Sequence, residues 1–451
     1  MAKSPRSRAL SSIKEGALSR SFSLARMTAA VGARAASHAL GSIFGGTEEE
    51  RATRLKGMAM EQAKILVREL GELKGSVMKV GQMVALYGEN LLPPEATQIL
   101  KALQSQAPPL SWVSIEKVLL RELGSEKLAE LDIVHDSFAS ASLGQVHLAI
   151  RKSDGQQIAL KVQYPGVDRA IGGDLRALKS AMTFARLLPT GGKVDQLFDE
   201  IRMMLEYEVD YSRELEQTNR FRELLAPDAR YVVPRTFAEY STRRVLATSF
   251  EEGVPVDGGE VAALSQERRD AIATAALELY FKEIFVWGAV QTDPHFGNYR
   301  VRLGERGDQL VLFDFGAVRA FDSKFVEPYR DLVGGAVNES PERLLKGAYG
   351  MEFLLPSDPA DVLQQFAEVT ILITEPFHRG VSFYDWGTSD LPKRVIKKGG
   401  SVFLKLKTKL RLPPRELIFL DRKITGVFIF LNVLRARIDG RELLGRYLSL
   451  D

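Results

Sequence analysis

Cysteine is absent from the 451 residues. That removes disulfides, thiolate zinc sites and a cysteine nucleophile. Histidine is nearly as scarce. Residues 38, 135, 147, 295 and 378 are scattered without the spacing of metal ligands, which argues against a histidine metal site. No run approaches the roughly 18–20 apolar residues of a membrane span. The stretch 27–46 is interrupted by Arg34 and His38, and Val427 to Leu434 is too short. The chain also lacks a dominant charge: 61 basic residues face 58 acidic ones, a net +3, which argues against nucleic acid as a partner. Gly-x-x-x-x-Gly-Lys-Ser/Thr does not occur, so a P-loop NTPase is excluded. No internal repeat is apparent.

What is present describes a globular protein long enough for two or more lobes. The basic excess lies at the N-terminus, where residues 1–47 carry seven Lys and Arg against Glu15 alone. This arm reads as a mobile basic segment, a membrane-surface helix or a mitochondrial transit peptide. Residues 48–88 carry an apolar stripe, Leu66, Leu70, Leu73, Val77, Val80 and Val84, at alternating spacings of four and three, which predicts a long helix. Pro93 and Pro94 break it, a second helix runs to about Gln104, and Pro108-Pro109 ends the segment. Val146–Ile150 and Ile158–Val162 around Ser153-Asp-Gly predict a hairpin. Residues 168–188 and 193–224 read as helices, and Tyr231-Val-Val and Arg244–Phe250 as strands. From about 260 the pattern is mainly helical. The expected fold is α+β and bilobal. Its expected divisions are an arm (1–47), a helical extension (48–125), an N-lobe with inserted helices (126–252) and a mainly helical C-lobe (253–451).

The chemistry concentrates in 291–319. Asp293 and Asn298 stand five apart, and Asp314-Phe-Gly follows across two apolar strands, Tyr299–Leu303 and Leu310–Phe313. Phosphoryl transfer of the kinase type needs this order. Asp293 would accept the proton of an alcohol or water, and Asn298 and Asp314 would hold Mg²⁺. Lys161 lies inside an apolar strand, where an ammonium is costly unless an anion meets it. The anion expected in a kinase-like fold is the phosphate of ATP or ADP, with a helix glutamate steadying the lysine. Glu208, Asp210 and Glu214 supply acids. On one continuous helix Glu208 and Glu214 would point about 120° apart and could serve two cations. Glu214 is assigned to Lys161, and Glu208 is left for another. Ala139, Ser140, Ala141 and Ser142 stand where a glycine-rich phosphate loop would lie. Gly75, Lys79 and Gln82 share one face of the early helix.

These residues resemble the UbiB-type (AarF-type) atypical kinases associated with coenzyme Q. The carriers are Lys79-x-Gly-Gln82, the Ala139–Ser142 loop with Gly144-Gln145-Val-His147, Lys161-Val-Gln-Tyr-Pro-Gly, Glu208-x-Asp210-Tyr-x-x-Glu214, Asp293-Pro-His-x-Gly-Asn298 and Asp314-Phe-Gly316, spread over about 51–439. The resemblance implies a protein-kinase-like fold with added helices. It implies that the Lys-x-Gly-Gln helix lies over the active site, that Lys79 and Gln82 occlude it, and that Lys79 meets Glu208. Ser140 replaces the middle alanine of the family's loop. The C-terminal membrane spans of some bacterial members have no counterpart here.

The expected function is therefore Mg²⁺-dependent phosphoryl transfer or ATP hydrolysis in aid of isoprenoid lipid metabolism of the ubiquinone type. A conventional protein kinase and a nucleotide-gated scaffold are the competing readings. After Asp314-Phe-Gly no Ala-Pro-Glu or evident activation segment follows, which disfavours the former. Retention of Asp293 and Asp314 disfavours the latter. The acid-free stretch Lys393-Arg-Val-Ile-Lys-Lys with Lys405–Arg411 reads as a solvated surface or a contact with anionic lipid. The expected location is cytoplasmic, peripheral to a membrane, or else the mitochondrial matrix. The phosphate acceptor and a homodimer stay open.

Overall fold

The computed structural model describes residues 79–81, 83–84, 110–141, 143–184, 188, 192–399 and 414–450. The expected N-terminal arm, most of the 48–88 helix, the helix ending near Gln104, Gln82, Ser142 and the basic run 405–411 lie outside them. Lys79, Val80, Gly81, Met83 and Val84 are helical, and Val80 and Val84 are fully buried, as the apolar stripe requires. The chain divides into two units, one comprising residues up to Glu216 with Thr236–Phe250, the other Gln217–Arg235 with Glu251 onward.

The first unit is built on an antiparallel sheet. Strands β1 (Leu131–Ile133), β2 (Ala139–Ser140), β3 (Gly144–Arg151) and β4 (Gln157–Gln163) come first. Strand β5 (Tyr231–Val232) belongs to the second unit, and β6 (Val245–Ser249) completes the first sheet in the order β1-β3-β4-β6, with β2 paired to β3. The expected hairpin is β3–β4, with Val146 opposite Lys161. Period-two alternation sends Ile158, Leu160 and Val162 into the core and leaves Ala159 and Lys161 on the other face. Helix α1 (Trp112–Ala129) packs on this sheet, followed in sequence by α2 (Val167–Phe184), α3 (Gly192–Glu208) and α4 (Tyr211–Leu225).

The helix expected over 193–224 is in fact two. α3 ends at Glu208 and α4 begins at Tyr211. Val209 is buried, and its carbonyl accepts the side-chain amide of Gln163 at 2.9 Å. The Tyr211 N–H donates to the carbonyl of Arg243 at 3.1 Å, and the Asp210 carboxylate accepts the Ser212 N–H at 3.1 Å. These bonds satisfy the backbone groups that a continuous helix would have paired internally. The 120° relation between Glu208 and Glu214 therefore does not apply. Each acid belongs to its own helix.

In the second unit the longer helices are α5 (Gln266–Phe281), α6 (Ser323–Val337), α7 (Pro341–Gly350), α8 (Ala360–Ile373) and α9 (Arg415–Val433), with a further helical stretch over 391–399. β5, β10 (Gln309–Leu312), β9 (Tyr299–Arg302) and β7 (Val254–Pro255) form one sheet in that order, and β8 (Ala289–Gln291) pairs with β11 (Val318–Ala320). α5 runs into a π-helical turn, Lys282–Val286, which delivers Glu283 into the interior. Such turns recur at functional sites. Residues 317–322 alone separate Gly316 from α6.

Behind β3 lies a polar cluster. His147 is fully buried, and its Nδ1 lies 2.9 Å from the carbonyl of Val134. A carbonyl only accepts, so Nδ1 carries the proton. Nε2 then accepts from the Gln145 amide at 2.9 Å, and the oxygen of that amide accepts the Leu110 N–H at 2.9 Å. Burial holds the imidazole below its ordinary pKa of 6.5. A depressed histidine is neutral in the fold, so the unfolded chain binds the extra proton first. Stability should fall as pH drops below 6.5, and His147→Gln should flatten that slope in urea titrations between pH 7 and pH 5.

Candidate active site

The candidate site residues form two sets, one in each unit. In the first unit Lys161 Nζ contacts both carboxylate oxygens of Glu214, at 2.7 and 2.8 Å. The Glu214 side chain is buried, and the ring of Tyr211 lies 5.1 Å from the ammonium. A carboxylate, an aromatic face and the strand together fix Lys161 in one place. Lys79 Nζ meets Glu208 Oε1 at 2.5 Å. Two lysines thus face two glutamates on successive helices. Ala139 and Ser140 form the exposed strand β2, and the Ala141 N–H donates to the carbonyl of Gly144 at 2.9 Å. A Cβ on Gly144 would lie 2.3 Å from the Val162 carbonyl oxygen, so β3 approaches β4 there only because the residue is glycine.

In the second unit the β9–β10 hairpin aligns the metal-type donors. Its register sets Leu312 opposite Tyr299, and the Phe313 N–H donates to the Asn298 carbonyl at 3.1 Å. Asn298 therefore stands beside the residue preceding Asp314. The Asn298 Nδ2 donates to the Asp293 carbonyl at 3.0 Å and approaches Asp293 Oδ2 at 3.3 Å. With its nitrogen engaged, the amide presents its oxygen. Asp314 Oδ1 accepts the Gly316 N–H at 2.9 Å. An amide oxygen and a carboxylate are the hard donors that suit Mg²⁺. Phe315 is buried, its ring 4.9 Å from that of Phe221.

Further residues complete this set, and sequence reasoning passed over them. The Gln291 side chain accepts the Asp293 N–H at 3.1 Å and donates to the Asp314 carbonyl at 3.2 Å, linking the two motif halves. Arg422 Nη2 donates to Asp293 Oδ1 at 2.6 Å. Lys423 pairs with Glu283 at 2.9 Å, both side chains being almost wholly buried, and approaches the Tyr299 hydroxyl at 3.4 Å. Burial raises the pKa of the Glu283 carboxyl, and Lys423 pulls it back. Burial works against the Lys423 charge, but Glu283 outweighs it and keeps the ammonium above its ordinary range. A signal for Glu283 existed. An acid between Phe281 and Ile284-Phe285 invites the same question as Lys161 in its strand. Gln291, Arg422 and Lys423 gave none, because their roles arise from tertiary contacts.

The fold and the motif order define a kinase-like protein, and comparison with known proteins names the branch. Residues 102–347 match the ABC1 atypical kinase-like domain. The chain is 32% identical over 384 residues to the atypical kinase COQ8B, mitochondrial, of Rattus norvegicus, an alignment covering 84% of this chain and 71% of that protein. It is 30% identical over 443 residues to the atypical kinase COQ8, mitochondrial, of Saccharomyces cerevisiae, covering 96% and 85%. Among solved structures, Rv3197 of Mycobacterium tuberculosis, determined as an erythromycin complex, has 26% identity and a TM-score of 0.57, covering 89% of this chain and 98% of that one. The chain belongs to the ABC1 (UbiB/AarF) family of atypical kinases.

The buried pair beneath the catalytic segment should be sensitive to loss of one member. Lys423→Met strands the Glu283 charge and should cost about 3–5 kcal/mol of unfolding free energy in urea titration. Lys423→Met with Glu283→Gln should recover most of that loss.

Proposed function

We propose that the protein binds Mg²⁺-ATP or Mg²⁺-ADP and catalyses phosphoryl transfer or ATP hydrolysis in support of isoprenoid lipid metabolism of the ubiquinone type. The observation that carries this reading is the join at Gln291, which brings Asp293 and Asp314 into one hydrogen-bonded segment with Asn298 beside them. Asp293 would accept the proton of the attacking hydroxyl. Asn298 and Asp314 would hold Mg²⁺, whose charge offsets that of the phosphoryl group. Lys161, steadied by Glu214, would meet nucleotide phosphate. Ala139, Ser140, Ala141 and Ser142 would lie along that nucleotide, where backbone N–H groups can serve its phosphates. Lys79, with Gln82 and through Glu208, would restrict access of the acceptor.

The short connection from Gly316 to α6 favours a restricted acceptor over a peptide. A protein kinase positions its peptide with a longer segment after Asp-Phe-Gly. The lipid assignment rests on family membership and on kinship with COQ8 proteins. The mitochondrial names of those relatives favour a mitochondrial location over a cytoplasmic, peripheral one. Among the described residues no helix is long and apolar enough to cross a membrane. The basic stretch at 393–398 supports lipid contact less than its composition suggests. Arg394 already pairs with Glu375 at 2.6 Å and Asp390 at 2.7 Å, and Lys398 with Glu368 at 3.0 Å.

Asp314→Asn should weaken Mg²⁺-dependent binding of a fluorescent ATP or ADP analogue by about tenfold or more, while binding without Mg²⁺ stays as it was. An unchanged Mg²⁺-dependent affinity would remove Asp314 from the metal site.

A further inference from the structure

Helix α9 carries three residues at intervals of four, Arg422, Gly426 and Phe430, and each meets a successive part of the catalytic loop. Residues so spaced form one stripe on a helix. Arg422 reaches the Asp293 carboxylate at 2.6 Å. Gly426 faces Pro294 so closely that a Cβ would lie 2.2 and 2.3 Å from the ring carbons Cβ and Cγ of the proline. Phe430 stacks on Phe296 at 5.9 Å and meets Tyr299 edge-on at 5.7 Å. The neighbouring Lys423 anchors the same helix to Glu283 beneath the loop.

We infer that α9 is the element that aligns the catalytic loop, with Arg422 and Gly426 as positioning residues for phosphoryl transfer. The inference rests on the reading of Asp293 as proton acceptor. An aspartate side chain turns about two bonds, and both are constrained here. Arg422 engages Oδ1 and the Asn298 amide approaches Oδ2, so the plane of the carboxylate is set from two sides. Arg422 and Asp293 are each about a quarter exposed. A pair so placed adds little to stability, so its consequence is geometric. Gly426 acts one residue further on. The proline ring cannot swing aside as a flexible side chain would, so any side chain at 426 must displace either the helix or the loop.

The test measures kcat with saturating Mg²⁺-ATP, together with affinity for a fluorescent ADP analogue, in the full chain. The variants are Arg422→Gln, Arg422→Lys, Gly426→Ala, Asp293→Asn and the double variant Asp293→Asn/Arg422→Gln. Misplacement of a reacting group by about 1 Å can cost about 100-fold. Arg422→Gln and Gly426→Ala should therefore lower kcat by about tenfold to 100-fold and leave nucleotide affinity intact. Arg422→Lys should regain part of the lost kcat, and it replaces Arg422→Gln if that variant melts early. Because Arg422 acts through Asp293, the double variant should be no slower than Asp293→Asn alone. A wild-type kcat in Arg422→Gln overturns the inference, and so does a double variant whose loss is the product of the two single losses. Turnover that survives Asp293→Asn would instead remove the reading of Asp293 itself. Absence of nucleotide binding in the wild-type chain would remove the proposed function.

Discussion

One glutamine amide joins the two halves of the kinase-type motif. Gln291 receives the N–H of Asp293 and donates to the carbonyl of Asp314. Its own N–H approaches Glu283 at 3.4 Å, and Glu283 is paired with Lys423 of α9. Asp293, Asp314 and helix α9 are thereby placed on one chain of contacts. Gln291, Glu283 and Lys423 are buried, where an unmet hydrogen bond costs more than a met one contributes. The π-helical turn after α5 is the local distortion that lets Glu283 enter this chain.

The first unit solves a different problem with the same components. Two lysines must each meet an acid, and the sequence supplies Glu208 and Glu214 six residues apart. A continuous helix would have splayed them. The break at Val209-Asp210 gives each its own helix, and Gln163 and Arg243 supply the partners that make the break tolerable. Gln163 lies on the strand that carries Lys161, two residues on. The strand that presents the lysine therefore also fixes the geometry of its acids.

The parts legible in the sequence are those whose signals are local. Alternating Ile158, Leu160 and Val162 define β4 and place Lys161 off the core face. The hairpin between Asn298 and Asp314 follows from two short apolar runs around a turn. The helix break was not legible, because Leu205 and Val209 continue an acceptable apolar spacing and the interruption depends on hydrogen bonds to residues far away in the chain. The role of α9 was hidden for the same reason. Arg422 and Lys423 look like any charged pair in a helix, and only the fold sets one against Asp293 and the other against Glu283. Gly426 carries no helix-ending signal. Its reason for being glycine is Pro294, more than a hundred residues away.

The two lysine–glutamate pairs of the first unit differ in what would be needed to open them. Lys161 holds both oxygens of a glutamate whose side chain is 3% exposed. Separating that pair strands a buried charge, at a cost of about 3–5 kcal/mol. Lys79 meets one oxygen of Glu208, a side chain 24% exposed, where water can replace the lost contact. Pairs with that much solvent access contribute about 0–1 kcal/mol. Taken as single contacts, Lys79–Glu208 is therefore the weaker of the two. In the second unit the Arg422–Asp293 contact is as open to solvent as Lys79–Glu208, whereas Gln291 and the Glu283–Lys423 pair beside it are buried.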